Sequence, residues 1–373
     1  MSNFTIAARA KTRIRHLASL DISGSMLAPM ILEEVEALVP LSVGVYVGFA
    51  DGGNFCSNDA DTNKVLPSYL RDFSEQRERE ILRPLSEAIR CEFEPTPMSA
   101  QIRSTRADFL RHDLYNLVFR PIGIHDGARL ITRTAQNDPL GALMIQRRCS
   151  KKSLYTHENL RPLAQMQHWV SHALEPRPQS PTVEFDTRES AVLTIGNNLC
   201  LKEMSPNAQR LMRLAFGHRW LYQQNLPDGL CKMLRSLQTL NHADMQARPS
   251  LFKIESFAGR FSFRAHILGA TPENISEHVG TRANAQDFCI VITHEMPQTL
   301  RLLQAARNSD LPQRQVEVCY WLARGNTHAQ IADRCGISVN TAIYHCRQVY
   351  AQLGVNNRKE LCERLLTATA KLH

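Results

Sequence analysis

Along the first 175 residues, some segments have apolar residues at the spacing of a strand and others at the spacing of a helix. From 41 to 49 every second residue is apolar, so that Val43, Val45, Val47 and Phe49 share one face and predict a strand. The Asp51-Gly-Gly53 sequence that follows predicts its turn. The other elements predicted in this region are helices near 5–20, 25–39 and 157–174 and strands within 113–124, 127–134 and 139–147.

A second region, from 183 to about 300, has a different order of elements. Short apolar runs at 191–195 and 199–204 predict a hairpin, and Ser205-Pro206 predicts a helix start with Ser as N-cap. A helix is predicted within 227–241 and three strands at 251–257, 260–268 and 288–293. Three prolines within 175–181 predict a linker before this region, and a second boundary is predicted near 308–311.

The last region predicts short helices separated by glycines. A helix over 313–324 ends at Gly325, and a capping box of Thr327 with Gln330 starts the next helix. Gly336 ends that helix, and Ser338 caps a third that runs to about Leu353. Two short helices joined by a tight turn that contains glycine are the helix-turn-helix arrangement.

The third helix of this region has an inward and an outward face. Ala342, Val349 and Leu353 fall on the side that packs inward. The outward residues of such a helix reach base edges in the major groove of double-stranded DNA, where an arginine can bind guanine with two hydrogen bonds. The residues predicted to contact DNA are Thr341, Ile343, Tyr344, Arg347 and Gln348.

A fourth helix is predicted after Gly354-Val355, with Asn357 and Glu360 as another capping box. Leu361 and Leu365 form its apolar stripe. Two interpretations remain open: the stripe packs on the core of its own domain, or it forms a dimer contact.

This terminal region resembles the LuxR/FixJ (GerE-type) family of helix-turn-helix regulators. The resemblance implies a four-helix domain that dimerises on DNA, with Ile343, Tyr344 and Arg347 at the base-facing positions. The matching residues are Leu311, Arg314, Glu317, Val318, Leu322, Ala323, Gly325, Ile331, Ala332, Gly336, Ile337, Ser338, Thr341, His345, Leu353, Gly354, Val355, Asn357, Arg358 and Leu361.

The chain also departs from the family pattern. Pro312-Gln313 replaces the usual Thr-Pro pair and Gln330 a frequent Glu, while Ile343 and Gln352 stand where Lys is common. From Asp310 onward there are eight Lys and Arg against five Asp and Glu, a net charge of +3. Because phosphate contacts dominate DNA affinity, we expect modest electrostatic binding with a shallow salt dependence.

The two earlier regions resemble sensory domains. The segments 139–146 and 154–158, with the helix that follows, resemble a GAF domain, and the hairpin followed by 204–208 resembles a PAS domain. These resemblances imply α+β domains with antiparallel sheets and flanking helices, which bury a small-molecule pocket or serve in dimerisation. The expected multidomain chain thus has a GAF-like domain at 1–175, a PAS-like domain at 183–297 and an all-α helix-turn-helix domain at 308–373.

Aromatic residues and one histidine are the candidates for lining such a pocket, although they are also ordinary core residues. The candidates are Tyr46, Tyr115, Phe119 and His125 in the GAF-like domain and Phe252, Phe263 and Phe288 in the PAS-like domain.

Composition narrows the function further. The net charge of +8 over 373 residues permits nucleic acid as a partner without requiring it. Ten cysteines without a CxxC pair indicate reduced thiols in a cytoplasmic protein. The sequence lacks a run of 18 or more apolar residues, so a membrane span is not expected. Neither a GxxxxGK loop nor a GxSxG elbow occurs, and the histidines lack metal-ligand spacing, so no enzyme activity, metal or cofactor is expected.

The sequence therefore predicts a cytoplasmic, homodimeric transcriptional regulator. An unidentified small molecule or protein partner would bias the sensory domains, and a helix around 297–308 would transmit the change to the DNA-binding dimer. Two alternatives stay open: N-terminal domains that only dimerise or bind protein, and an enzyme-like N-terminal domain with an appended DNA-binding module.

Overall fold

A computed structural model of the chain describes residues 3–20, 22–49, 55–62, 65, 68–148, 154–176, 184–217, 226–239, 250–268 and 287–370. The contacts divide the chain into two compact units. One contains 1–178 and 189–294, and the other contains 179–188 and 295–373. The first two predicted domains therefore share one compact unit, and the second unit starts before the predicted boundary at 308.

The first sheet has five strands in the order β2-β1-β5-β4-β3. The central strands β1 and β5 are antiparallel, with Tyr46 opposite Leu143. Val43 and Val45 are buried on one face of β1 and Val47 packs with them, as the alternation predicts. The predicted turn at 51–53 lies outside the described residues. The strands are β1 (Val43–Gly48), β2 (Phe55–Ser57), β3 (Thr96–Pro97), β4 (Asp126–Arg133) and β5 (Pro139–Arg147).

Three long helices pack on one another beside this sheet: α1 (Asn3–Ala18), α2 (Gly24–Leu38) and α7 (His157–Ala173). α2 contacts β1 and α7 contacts β4. Thr156 starts α7 with a reciprocal capping box to Asn159, and the apolar stripe Leu160, Leu163, Met166 and Val170 is buried. These three helices lie where the hydrophobic periods predict them.

The prediction of a strand within 113–124 is wrong. A π-helical turn occupies Tyr115–Phe119, and a 3₁₀ turn occupies Arg120–Ile122. Leu114, Tyr115 and Val118 are buried in one cluster, a spacing that suits one face of a helix rather than of a strand. The aromatic and β-branched residues favour a strand locally, but burial of this helical face decides the conformation.

Short helices fill the chain between β2 and β4 and cover a separate apolar cluster centred on Phe73 and Phe109. The helices are α3 (Glu78–Ile81), α4 (Leu85–Cys91), α5 (Met98–Gln101) and α6 (Arg106–Arg111), with a π-helical turn at Tyr69–Phe73.

The second sheet also has five strands, in the order β7-β6-β10-β9-β8. Its elements follow the predicted order of two strands, helices and three strands. They are β6 (Phe185–Ile195), β7 (Leu201–Met204), α8 (Pro206–Phe216), α9 (Asp228–Thr239), β8 (Ser250–Ser256), β9 (Gly259–Ile267) and β10 (Phe288–Pro297). Ser205 accepts a hydrogen bond from the Ala208 amide, which confirms the predicted N-cap.

Five helices complete the described chain. α10 (Gln298–Arg307) follows β10 directly and packs on the first and last of the other four, which are α11 (Gln313–Ala323), α12 (His328–Cys335), α13 (Val339–Leu353) and α14 (Arg358–Ala370). α11 is buried on all sides from Gln315 to Ala323. A helix covered all round is the centre of its domain, and α11 therefore forms the core on which α13 and α14 are placed.

Candidate nucleic-acid interface

The turn between α12 and α13 is built by local hydrogen bonds that the sequence predicts. Thr327 and Gln330 form a reciprocal capping box, with N–O distances of 3.3 and 2.9 Å. Gly336 ends α12 with φ of +62°, and the Ile337 amide then donates to the Ala332 carbonyl oxygen at 2.9 Å. This left-handed closure satisfies the last carbonyl groups of α12 and redirects the chain into α13.

Ser338 sets the start of α13. Its Oγ accepts from the Thr341 amide at 3.1 Å and lies 2.8 Å from the Thr341 hydroxyl. The Thr341 side chain is thus engaged in the cap and is half-buried. It can meet a phosphate only at the edge of the face that α13 exposes.

α13 has one buried and one exposed face. Ala342, Cys346 and Val349 are at most 2% exposed and anchor the helix on α11 and α12. Tyr344 is 58% exposed, and Arg347 is exposed one turn later. Their spacing places both side chains on the same outer face of the helix.

The structure separates the five predicted DNA contacts into two groups. Tyr344 and Arg347 project from the surface, whereas Thr341, Ile343 and Gln348 are half-buried beside them. Leu353, which was predicted to face inward, is also only half-buried.

Val339 is 45% exposed and Asn340 is exposed in the first turn of α13, and sequence reasoning missed both. Their position directly after the Ser338 cap is the signal that identifies them.

Two arginines stabilise the packing of the helices that support α13. Arg314 donates to Glu317 Oε2 at 2.7 Å and to the Cys335 carbonyl oxygen, which connects α11 to the end of α12. Burial raises the pKa of the Glu317 carboxyl, and the Arg314 guanidinium counteracts part of that rise. Arg358 Nε donates to the Ala323 carbonyl oxygen at 3.2 Å, so α14 caps the end of α11.

The family model described as "Bacterial regulatory proteins, luxR family" matches residues 309–365. These residues form a LuxR-type helix-turn-helix domain. The match coincides with α11 to α14 and contains the exposed face of α13, so the resemblance inferred from single positions is confirmed for this domain.

Two curated proteins are similar to parts of the chain. The "Transcriptional activator protein EsaR" of Pantoea stewartii subsp. stewartii is 41% identical over 16% of this chain and 24% of its own length. The "Probable transcriptional regulatory protein SgaR" of Hyphomicrobium methylovorum is 35% identical over 26% of this chain and 54% of its own length. The chain thus spans about a quarter and about half of these relatives.

A solved structure titled "Crystal structure of the phage VqmA-DPO complex" overlaps 48% of this chain and 81% of its own, with 16% sequence identity and a TM-score of 0.22. A TM-score this low carries no conclusion about a shared fold.

The apolar stripe of α14 packs inside the chain. Leu361 and Leu365 are 0% and 3% exposed, and α14 contacts α10, α11 and α13. Of the two interpretations of this stripe, the burial favours packing on the core of the LuxR-type domain. A dimer contact through α14 would need its exposed residues, among which are Glu363, Arg364 and Thr367.

The candidate pocket residues of the GAF-like region fall in two places. Tyr115 Oη lies 2.9 Å from His125 Nδ1, and Phe109 lies within 6 Å (ring centroids) of both Tyr115 and Phe119. Tyr46 lies instead against Gly141, where an added Cβ would meet its hydroxyl at 2.6 Å. The structure therefore brings three of the four predicted residues together.

The candidate pocket residues of the second predicted domain lie in one packed core. The rings of Phe252 and Phe263 are 5.9 Å apart, and Phe216 contacts both. Phe263 and Phe288 are fully buried in the same core. The cluster therefore has the contacts of an ordinary core among the described residues.

A surface groove of about 450 Å³ lies elsewhere, against α7 and the loop between β4 and β5. It contains none of the candidate pocket residues. Its lining is Phe93, Glu94, Arg133, Thr134, Asn137, Ala164, Gln167, His168 and Ser171.

Glu78, in α3, is a buried carboxyl with a strongly raised pKa. Burial raises its pKa from 4.5 to about 7, although the hydrogen bond from Tyr69 Oη at 3.1 Å and the charge of Arg129 oppose the rise. Burial together with Glu78 also raises the pKa of Tyr69. These contacts are those of a buried structural carboxyl whose hydrogen-bond donor is the Tyr69 phenol.

The described ranges contain neither a candidate metal site nor a membrane-spanning helix. In that part of the chain, no three His, Cys, Asp or Glu side chains are grouped so that they could hold a metal ion. Every helix described there is too short or too polar to span a bilayer.

Proposed function

We propose that the chain is a DNA-binding transcriptional regulator, in which α13 of the LuxR-type domain reads double-stranded DNA. The observation that carries this proposal is the two-faced α13: Tyr344 and Arg347 are exposed, while Ala342, Cys346 and Val349 fix the opposite face. A recognition helix needs this division, because only a rigidly seated helix holds its outer side chains in register with base edges. The proposal includes a cytoplasmic location, because such a regulator has to reach DNA.

The experiment begins by selecting duplexes that bind the full chain from a random library. The affinity of the preferred duplex is then measured by fluorescence anisotropy for the wild type and for Arg347→Ala. We expect Arg347→Ala to weaken binding by about 1–3 kcal/mol, the range for an arginine that contacts a base. Arg161→Ala, an exposed arginine on α7, is the matched control and should bind like the wild type. Unchanged affinity in Arg347→Ala would contradict the assignment of α13.

The N-terminal regions are proposed as GAF-like and PAS-like domains that control a homodimer of the LuxR-type domain in response to a small molecule. The order of elements in both regions and the contact pair of Tyr115 and His125 support this proposal. Sedimentation of the full chain at micromolar concentration tests the dimer, and a purely monomeric species would contradict it.

A second candidate function is favoured by the packed aromatic cluster of Phe216, Phe252 and Phe263. In this case the N-terminal domains only dimerise or bind another protein. Native mass spectrometry of the protein purified from its own cells separates the two candidates. A co-purifying small molecule supports sensing, and a bare chain with intact DNA binding supports the second candidate.

A further inference from the structure

A backbone hydrogen bond connects the start of α10 to the residue that precedes β6. β6 and β10 are neighbours in the second sheet, and the chain passes from β10 into α10 without an intervening loop. The Gln298 amide donates to the Glu184 carbonyl oxygen at 2.9 Å. The first turn of α10 is therefore held by the residues that lead into β6.

One turn into α10, Arg301 makes contacts in two directions. Its guanidinium pairs with the carboxylate of Asp186 on β6, and its Nη2 donates to the Leu366 carbonyl oxygen of α14 at 3.2 Å. The Arg301 side chain is 13% exposed, whereas that of Asp186 is 35% exposed. The Arg301 guanidinium is thus mostly shielded from water while its partner Asp186 is partly exposed, and such shielding strengthens hydrogen bonds to a charged group.

The rest of α10 belongs to the core of the terminal unit. Leu300, Leu303 and Ala306 are at most 1% exposed, and α10 packs on both α11 and α14. α10 therefore packs with these two helices, and Arg301 adds a polar contact from α10 to Asp186, which belongs to the same compact unit. An arginine suits this role because its planar fork can serve a carboxylate and a carbonyl group at the same time, which a lysine cannot do with fixed geometry.

We infer that Arg301 is a positioning residue, which couples β6 to the placement of α14 in the LuxR-type domain. The inference deepens the proposed function, since it names a contact inside the terminal unit through which the first residues of β6 would act on DNA binding. It predicts that a change at Asp186 alters the stability of α14 through Arg301.

The test measures hydrogen exchange of the amides of α14 in the full chain, without DNA. We expect Arg301→Ala to speed exchange in residues 361–367 by about tenfold or more, the lower end of the range that corresponds to loss of a hydrogen bond to a charged group. Asp186→Asn should speed exchange in the same residues, and Arg301→Lys should rescue only part of the loss. Asp287→Asn is the matched control, because it removes the Lys202–Asp287 pair of the same sheet and should leave α14 unchanged.

The charge-exchanged double variant, Asp186→Arg with Arg301→Asp, separates coupling from simple destabilisation. Coupling predicts slower exchange in α14 than in Arg301→Asp alone, and no such recovery would overturn the inference. The inference is also overturned if Asp186→Asn leaves α14 at the wild-type rate while Arg301→Ala changes it, because Arg301 would then act on Leu366 alone. DNA affinity of the same variants is measured separately, so failure of Arg347→Ala to weaken DNA binding would contradict the proposed function and leave the exchange result standing.

Discussion

Arg129 of β4 and Glu92 form a buried ion pair joined by two hydrogen bonds. Arg129 Nε donates to Glu92 Oε2 at 2.9 Å and its Nη2 donates to Oε1 at 2.7 Å, while both residues are at most 5% exposed. Arg129 also donates to the Arg83 carbonyl oxygen, and Arg83 Nη1 lies 3.0 Å from Glu92 Oε1. The pair therefore fixes the segment from α4 to β3 on the first sheet.

Glu92→Gln should lower the free energy of unfolding by about 3–5 kcal/mol, because it leaves a buried guanidinium without its counter-charge. Asp113→Asn makes the same chemical change in the exposed Arg77–Asp113 pair and should cost less than about 1 kcal/mol. Urea unfolding of the two variants measures the difference. Equal effects would mean that burial adds nothing to the Glu92 pair.

Glu78 should make stability depend on pH. Its pKa is about 7 in the folded chain against 4.5 ordinarily, so the folded state holds a proton that the unfolded state releases. Stability is therefore lost as pH rises from about 4.5 to about 7, by about 3 kcal/mol at 1.36 kcal/mol per pKa unit. Glu78→Gln should remove this pH dependence and be more stable than the wild type at pH 8, and parallel pH profiles in urea unfolding would contradict the assignment.

Gly24→Ala should destabilise the helical layer of the first sheet. A Cβ at Gly24 would lie 2.1 Å from the carbonyl carbon of Leu174. The clash is with backbone atoms, which cannot move aside as a flexible side chain can. The expected cost is about 1–3 kcal/mol, the range for overpacking. Gly44→Ala is the control, since its Cβ would meet a methyl group of Leu32 at 3.1 Å and two further side-chain atoms at 3.7 Å, with no backbone among these three nearest atoms. A similar loss of thermal stability in both variants would refute the packing argument.

Arg347 should contact a base rather than a phosphate. In that case Arg347→Ala weakens binding to the preferred duplex and relaxes specificity at one base pair, while the salt dependence stays as in the wild type. Uniform weakening on all duplexes, with the slope of log K against log salt reduced by about one, would instead identify a phosphate contact. Binding isotherms at several salt concentrations decide between the two.

The cysteines should differ in reactivity according to burial. Cys91 and Cys200 are exposed, whereas Cys319 and Cys335 are buried and burial raises their pKa to about 12 and about 11. Because the thiolate is the reactive form, a thiol reagent at pH 8 should label the exposed pair first. Mass spectrometry of labelled peptides checks this order, and early labelling of Cys319 would show that its helix opens.

The terminal domain was predictable because its signals are local. The cap of α13 needs only Ser338 and Thr341, three residues apart, and the end of α12 needs only a glycine at position 336. The prediction of a strand at 113–124 failed for the converse reason. Tyr115 and Val118 become helical because burial against distant residues outweighs their local preference for a strand.

The sequence by itself determined the helix-turn-helix domain, the caps of α12 and α13 and the outward positions of Tyr344 and Arg347, because these follow from hydrogen bonds and periodicity within a few residues. Only the tertiary structure decided that Leu361 and Leu365 are covered by the chain's own helices, and that Arg301 joins Asp186 to Leu366. Such contacts connect residues far apart along the chain, and their energies depend on the packing of whole helices. A pattern read along one segment does not contain that packing.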